Sequence, residues 1–474
     1  MKIKVTTQAL STIRILGRDP VGSKPLFTKE GIRLLTSIAF DHDNNENIKD
    51  TTSSREALKC IANCIHLNDS VKVFLEEQDI IGLCLLLMQS DDHLSLETQF
   101  LTCRVLFFMT VNRPDLVSRL IHANISAAIA KVYKVLNQNI ELLENPTNLI
   151  DKDSPINPLT VTSEALKLLF NLLLVDSRTT RGEEGEVGSS EQNLLPGTFE
   201  DCLNPVFRLL FNVPFSEPQP LVPPHSQAIH TLMQYPYETI ARVWSKSPWA
   251  KQGEACCIPI ATTLVELLDR SVHTLIPHGD PDDVNGSEQV DATLSPLLLV
   301  LRALAEGDSS LSQYMAKRLL PNEKDRMVPV HEGFGLPAYM IRLMTSTMMP
   351  LSRDGACETL FVLCDKDATK LTQKVGYGNA IGFLVNKGIA MEAPSSDDTE
   401  KEQVNPITGQ YVSSEKQPEL KDMTDEEKER EAEKLFVLFE RLKKTGIIDV
   451  ENPIAKAMQE SQGRFEEVDS SEDE

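Results

Sequence analysis

The stretch that decides the fold is Glu56-Ala-Leu-Lys-Cys-Ile-Ala-Asn63-Cys-Ile-His-Leu-Asn-Asp69. Leu58, Ile61, Ala62 and Ile65 recur at i, i+3, i+4 and i+7, which is one apolar face of an α-helix. The phrase returns much later as Glu164-Ala-Leu-Lys-Leu-Leu-Phe-Asn171-Leu-Leu-Leu-Val-Asp-Ser177. Both copies carry Glu-Ala-Leu-Lys, then Asn at the same offset, then a polar break. Ser53, three residues before Glu56, reads as the capping box that starts the first helix.

Looser copies follow the same plan at Glu97–Asn112, Leu294–Gly307 and Gly355–Asp365. Shorter helices such as Val71–Leu75 and Pro114–Ile121 come after the first ones. The step from Cys60 to Cys103 falls within the roughly 40–47 residues of an armadillo or HEAT repeat. One helix pair cannot bury its apolar face alone, so stacked pairs are the expected solution. The composition agrees. Hydrophobic residues make up 41% but aromatics only 5%, so the core must be Leu, Ile, Val and Ala, which suits helices better than a β-sandwich. The expected fold is all-α: an armadillo/HEAT-like helical solenoid over residues 1–390, with loops near 177–198, 215–225 and 278–288.

After about Met391 the composition changes. The last 84 residues hold 24 acidic and 11 basic side chains, a net of −13 out of −23 for the whole chain. Residues 391–474 therefore read as an acidic, largely disordered tail. It carries one well-specified amphipathic helix, about 424–445. Thr424-Asp-Glu-Glu427 caps it, and Ala432, Leu435, Phe436, Phe439 and Leu442 make one apolar face. A lone helix of this length is marginal in water, so that face must cover either the solenoid or a partner.

Charge and motifs exclude several classes of function. A net charge of −23 repels phosphate backbones, and no basic run offsets it, so nucleic acid is not an expected partner. No apolar stretch is long enough for membrane insertion, and the start lacks a leader-like apolar core. The nine cysteines are odd in number, lack framework spacing and mostly sit inside apolar helical runs, as in a cytoplasmic protein. There is no phosphate-cradling Gly-x-x-x-x-Gly-Lys loop, no paired metal spacing and no nucleophile elbow. Gly376-Tyr-Gly378 has the wrong spacing and context for a dinucleotide fingerprint. No cofactor, no metal and no covalent catalysis are expected, and the chain is expected to be monomeric on its own. What remains is a binding surface. Asn63, Arg104 and Asn171 are polar residues within apolar helices. They either line a concave groove for a peptide or helix, or, for the two asparagines, cap the neighbouring turn inside the stack. Arg104 is either a groove residue or a snorkelling cation.

An ordered series of motifs resembles the synembryn family (resistance to inhibitors of cholinesterase). It comprises Glu358-Thr-Leu-Phe-Val-Leu-Cys364, Val375-Gly-Tyr-Gly-Asn-Ala380, the acidic cluster Ser395-Ser-Asp-Asp-Thr-Glu400, Asn405-Pro-Ile-Thr-Gly409 and Met423-Thr-Asp-Glu-Glu-Lys428. Glu56–Asn63, Phe100–Thr110, Glu164–Asn171 and Arg342-Leu-Met-Thr345 are similar too. The resemblance implies a guanine nucleotide exchange factor and folding chaperone for heterotrimeric G-protein α subunits, GDP-bound, nucleotide-free or nascent. It implies that the concave face takes the C-terminal helix of the α subunit while the tail reaches its nucleotide-binding domain. It also implies recruitment to the inner face of the plasma membrane through that subunit, and acidophilic-kinase sites at Ser395, Ser396 and Thr399. Where the family has a basic pair before the Phe-Val-Leu-Cys helix, this chain has Arg353-Asp354, so Arg353 is left as the phosphate-clamp candidate. The alternative is an armadillo-type adaptor that binds a peptide without nucleotide exchange.

Overall fold

A computed structural model describes residues 2–41, 48–90, 94–145, 151, 154–180, 197–250, 257–389, 404–405 and 407–415. Its helices begin with α1 (Lys2–Leu16), α2 (Lys29–Ala39), α3 (Thr52–Leu67), α4 (Val71–Glu77), α5 (Ile80–Ser90) and α6 (Leu96–Thr110). Next come α7 (Pro114–Glu144), α8 (Pro158–Thr180), α9 (Gly197–Glu200), α10 (Leu203–Asn212), α11 (His225–Leu232) and α12 (Tyr237–Trp244). The series continues with α13 (Ile258–Leu275), α14 (Ser287–Gly307), α15 (Ser309–Leu319), α16 (Leu336–Thr345), α17 (Pro350–Leu363), α18 (Ala368–Val375) and α19 (Tyr377–Asn386). No strand is formed among the described residues, and an isolated antiparallel bridge pairs Val404 with Tyr411. The compact helical unit runs to Ser413.

The helices stack in two rows. In one row α1 packs on α3, α3 on α6, α6 on α8, α8 on α11, α11 on α14 and α14 on α17. In the other, α2 meets α4, α4 meets α5, α5 meets α7, α7 meets α10 and α10 meets α12. The substantial contacts join helices close together in sequence, which is the arrangement of a helical-repeat solenoid. Both copies of the Glu-Ala-Leu-Lys phrase, on α3 and α8, lie in the first row. The apolar face inferred for the first copy is buried: Leu58 and Ile61 are inaccessible, and Leu166 and Leu169 repeat the pattern in α8.

Two details differ from the sequence reading. The α3 capping box is built by Thr51 and Ser54, each side chain bonding the other's backbone N–H. Ser53 and Glu56 do not make it, because Glu56 is held by Arg14 and Lys59. The helix read as Pro114–Ile121 continues to Glu144, because no glycine, proline or polar cluster interrupts it. The 278–288 loop is pinned in place: Asp282 accepts hydrogen bonds from the Ser346 hydroxyl (2.5 Å) and from the Thr347 and Met348 N–H groups (3.1 Å each). The Phe215–His225 connector is without helix as far as Pro224, and His225 begins α11.

The eight described cysteines are free and buried. Burial pushes the Cys60 thiol up to about 11 and Cys64 up to about 12, so neither is a reactive thiolate at neutral pH.

Asp50 ties the start of α6 to α3. Its carboxylate accepts from the Thr98 hydroxyl (2.7 Å), the Ser95 N–H (3.0 Å) and Arg55 (2.5 Å). Burial alone would raise its pKa, but these donors outweigh burial and hold it below the ordinary aspartate value. A depressed folded pKa gives stability that is present above the unfolded value, about 3.9, and lost as pH falls through the folded one. Asp50→Asn should therefore lower stability at pH 7 by roughly 1–2 kcal/mol. It should also shrink the loss of stability between pH 7 and pH 3, measured by urea titration at both pH values. An unchanged acid limb would rule the network out as its source.

Candidate partner-binding face

The first row carries a ladder of ion pairs across its seams. Arg14 of α1 meets Glu56 of α3 at 2.9 Å. From α3, Arg55 (2.9 Å) and Lys59 (2.5 Å) reach Glu97 of α6. Arg104 of α6 meets Glu164 of α8 at 3.1 Å, and Lys167 shares that oxygen at 2.9 Å. Further along, Arg302 of α14 lies 4.0 Å from Glu358 of α17, which Lys387 also reaches at 2.6 Å.

This geometry accounts for the repeated phrase. In each copy the glutamate takes an arginine from the preceding row helix and the lysine one turn on neutralises the same carboxylate. The asparagine reaches back to the end of that preceding helix. Asn63 donates to the Arg14 carbonyl (3.4 Å), and Asn171 donates to the Thr110 hydroxyl (3.0 Å) and the Phe107 carbonyl (3.4 Å). Carbonyls in the last turn of a helix lack the regular intrahelical partners, and each amide ties its helix to that end of the one before, where the Phe107 carbonyl also accepts from the Val111 N–H (3.1 Å) and the Thr110 hydroxyl (2.8 Å). Asn63, Arg104 and Asn171 thus lie along one row, all three half-buried, with polar ends engaged by the neighbouring helix.

The face around them is aromatic as well as charged. The Arg104 guanidinium lies 4.5 Å from the Phe100 ring centre and 6.0 Å from that of Phe108. His66 of α3 stacks on Phe108, with ring centres 6.0 Å apart. Lys167 lies over Phe107 at 5.9 Å, and Phe170 of α8 meets His230 of α11 edge-on at 6.1 Å. Phe100 is buried, while Phe107, Phe108 and Phe170 are half-buried, and such rings beside cations suit a helix or extended segment that presents both apolar and polar groups. Sequence reading missed this strip and the partners of the ladder. The paired residues lie 42 and 60 positions apart, and unequal spacing of that kind leaves no periodic signal.

Arg353 lies at the start of α17, half-exposed. Its Nε bonds the adjacent Asp354 at 3.1 Å, and its Nη1 donates to the Ser346 carbonyl at 3.4 Å. Ser395, Ser396, Thr399, Leu435, Phe436, Phe439 and Leu442 lie outside the described residues. Among the described residues no group of three or more His, Cys, Asp or Glu could hold a metal ion, and no helix is long and apolar enough to cross a membrane.

Comparison with known proteins covers almost the whole chain. The Ric-8A chaperone of Gallus gallus is 23% identical over 462 residues, covering 93% of this chain and 81% of the relative. That of Xenopus tropicalis is 26% identical over 482 residues, covering 97% and 84%. The Ric-8 chaperone of Drosophila pseudoobscura pseudoobscura is 26% identical over 496 residues, covering 93% and 83%. The sequence profile of the Ric8 family, described as guanine nucleotide exchange factor synembryn, matches residues 9–462. With the profile spanning both helical rows and most of the acidic tail, the chain belongs to the Ric8 family of synembryn guanine nucleotide exchange factors.

Proposed function

We propose that this chain is a non-receptor guanine nucleotide exchange factor and folding chaperone for heterotrimeric G-protein α subunits. It acts in the cytoplasm by binding, without covalent chemistry. The observation that carries the reading is the family match over residues 9–462, and the row face supplies a physical means. An exchange factor works by binding the nucleotide-free partner more tightly than the loaded one. Each tenfold of that difference corresponds to about 1.4 kcal/mol. A long face with rings, amides and paired charges can distribute that difference over many contacts, with Asn63, Arg104 and Asn171, whose polar ends also brace the stack, among the residues proposed to meet the partner. The tail helix, through Leu435, Phe436, Phe439 and Leu442, is the proposed second contact. Phosphorylation at Ser395, Ser396 or Thr399 would add charge, for which Arg353 is the proposed clamp.

The test is GDP release from a purified α subunit, followed by fluorescence with and without this chain. Release should speed up severalfold, and a stable nucleotide-free complex should form that GTP dissolves. Unchanged release across several α subunits would sink the exchange reading. Capture of newly translated α subunit would then decide between chaperone and plain adaptor.

A further inference from the structure

Residues 404–405 and 407–412 lie against the C-terminal helices, and a buried cation is at the centre of the bonds that hold them there. Arg326, only 7% exposed, donates to the Gly409 carbonyl (2.6 Å) and to the Gln373 and Lys374 carbonyls at the end of α18 (3.0 and 3.1 Å). A buried arginine without a carboxylate in contact is unfavourable unless its N–H groups are satisfied, and here carbonyl oxygens satisfy them. Backbone bonds complete the seat. Tyr411 donates to the Arg326 carbonyl (2.9 Å), Val330 to Thr408 (3.3 Å) and Gly378 to Ile407 (3.1 Å). The Gln410 side chain, itself buried, donates to the Met327 carbonyl at 3.1 Å.

The glycines of this region are explained by the same contact. Gly376 has φ +85°, and a Cβ there would stand 2.5 Å from the Ile407 carbonyl oxygen. Gly409 has φ +72°, and a Cβ there would press on both Val330 methyls at 3.1 Å. Both positions combine a left-handed backbone with a close approach, which only glycine meets without strain. Asn405 shapes the turn, its side chain accepting from the Ile407 N–H at 2.8 Å. The Asn405-Pro-Ile-Thr-Gly409 motif and the Gly376-Tyr-Gly378 motif are thus two halves of one contact.

We propose that residues 404–412 are a clasp, closed by Arg326, that fixes the point from which the C-terminal tail starts. The fixed start is needed for nucleotide exchange and not for capture of the α subunit by the helical row. Arg326 is on this account a positioning residue, and the inference rests on the exchange reading above. The test uses the full chain as wild type, Arg326→Ala and Gly409→Val. The second variant alters the clasp from its own side and leaves the helices untouched. Three quantities are read: trypsin cleavage around Lys401 and Lys416, affinity for the α subunit, and GDP release at saturating chain. Both variants should be cleaved several times faster and should slow release about tenfold, with affinity within about threefold of wild type. Fast cleavage with unchanged release would overturn the proposal. So would cleavage at the wild-type rate, or affinity and release falling together with a lower melting temperature. If the wild type itself fails to stimulate release, the exchange reading falls, and the cleavage arm still decides whether the clasp exists.

Discussion

A chain ended after Met391 should lose roughly tenfold or more of its stimulation of GDP release, equivalent to about 1.4 kcal/mol or more of differential affinity for the nucleotide-free partner. It should keep most of its affinity for the α subunit. The cut removes 83 residues, including the predicted 424–445 helix, and leaves both helical rows intact. It also takes away the clasp, so the Arg326 guanidinium loses the Gly409 carbonyl. A second chain, ended after Glu415, keeps every described clasp contact. Both should be poor exchange factors, because both lack the tail helix. Only the first should also melt lower, because one of the carbonyls that satisfies a buried cation is gone. Titration with α subunit, GDP release and thermal unfolding on the three chains separate these effects. Full exchange by either shortened chain would remove the tail from the mechanism.

The double variant Arg104→Ala, Lys167→Ala should be the most destabilising surface change in the helical unit, by about 3–5 kcal/mol. The Glu164 side chain is only 4% exposed, and both cations bond its Oε1, while Oε2 has no partner. Removing both leaves a carboxylate in an apolar seam with nothing to offset its desolvation. Glu164→Leu in the same background should recover most of the loss, because it removes the buried charge. In a stack whose stability is a sum over neighbours, the loss belongs to the α6–α8 seam. Urea unfolding should therefore show an early transition and a broadened curve. A loss below about 1 kcal/mol would mean that the ladder is an ordinary set of exposed pairs.

How far the sequence could be read depended on the range of the interaction. Glu-Ala-Leu-Lys and the apolar positions after it are local, and they place α3 and α8 correctly because a helix face is set by residues three and four apart. The start of α3 was misread for a related reason. Thr51, Ser53 and Ser54 all fit a cap, and the choice is made by Arg14, far away in sequence, which draws Glu56 off. Asn63 and Asn171 were visible as polar residues on apolar helices. Whether they serve a partner or the stack depended on which helix end lay opposite, and that is tertiary information. Arg326 gave no signal at all. It sits in a short turn, Asp325–Met327, and its partners are carbonyls, which every residue has. The two glycine-containing motifs were legible as unusual, but their meaning lies in their meeting.

The clasp also ties together two separate stretches of the chain. Ile389 packs against the core, and Gly409 and Tyr411 are bonded to Arg326. A single peptide-bond cut between Ile389 and Val404 would leave one piece carrying Arg326 and the other carrying the Gly409 carbonyl that it holds. The two fragments should stay together on a native gel and separate only in denaturant.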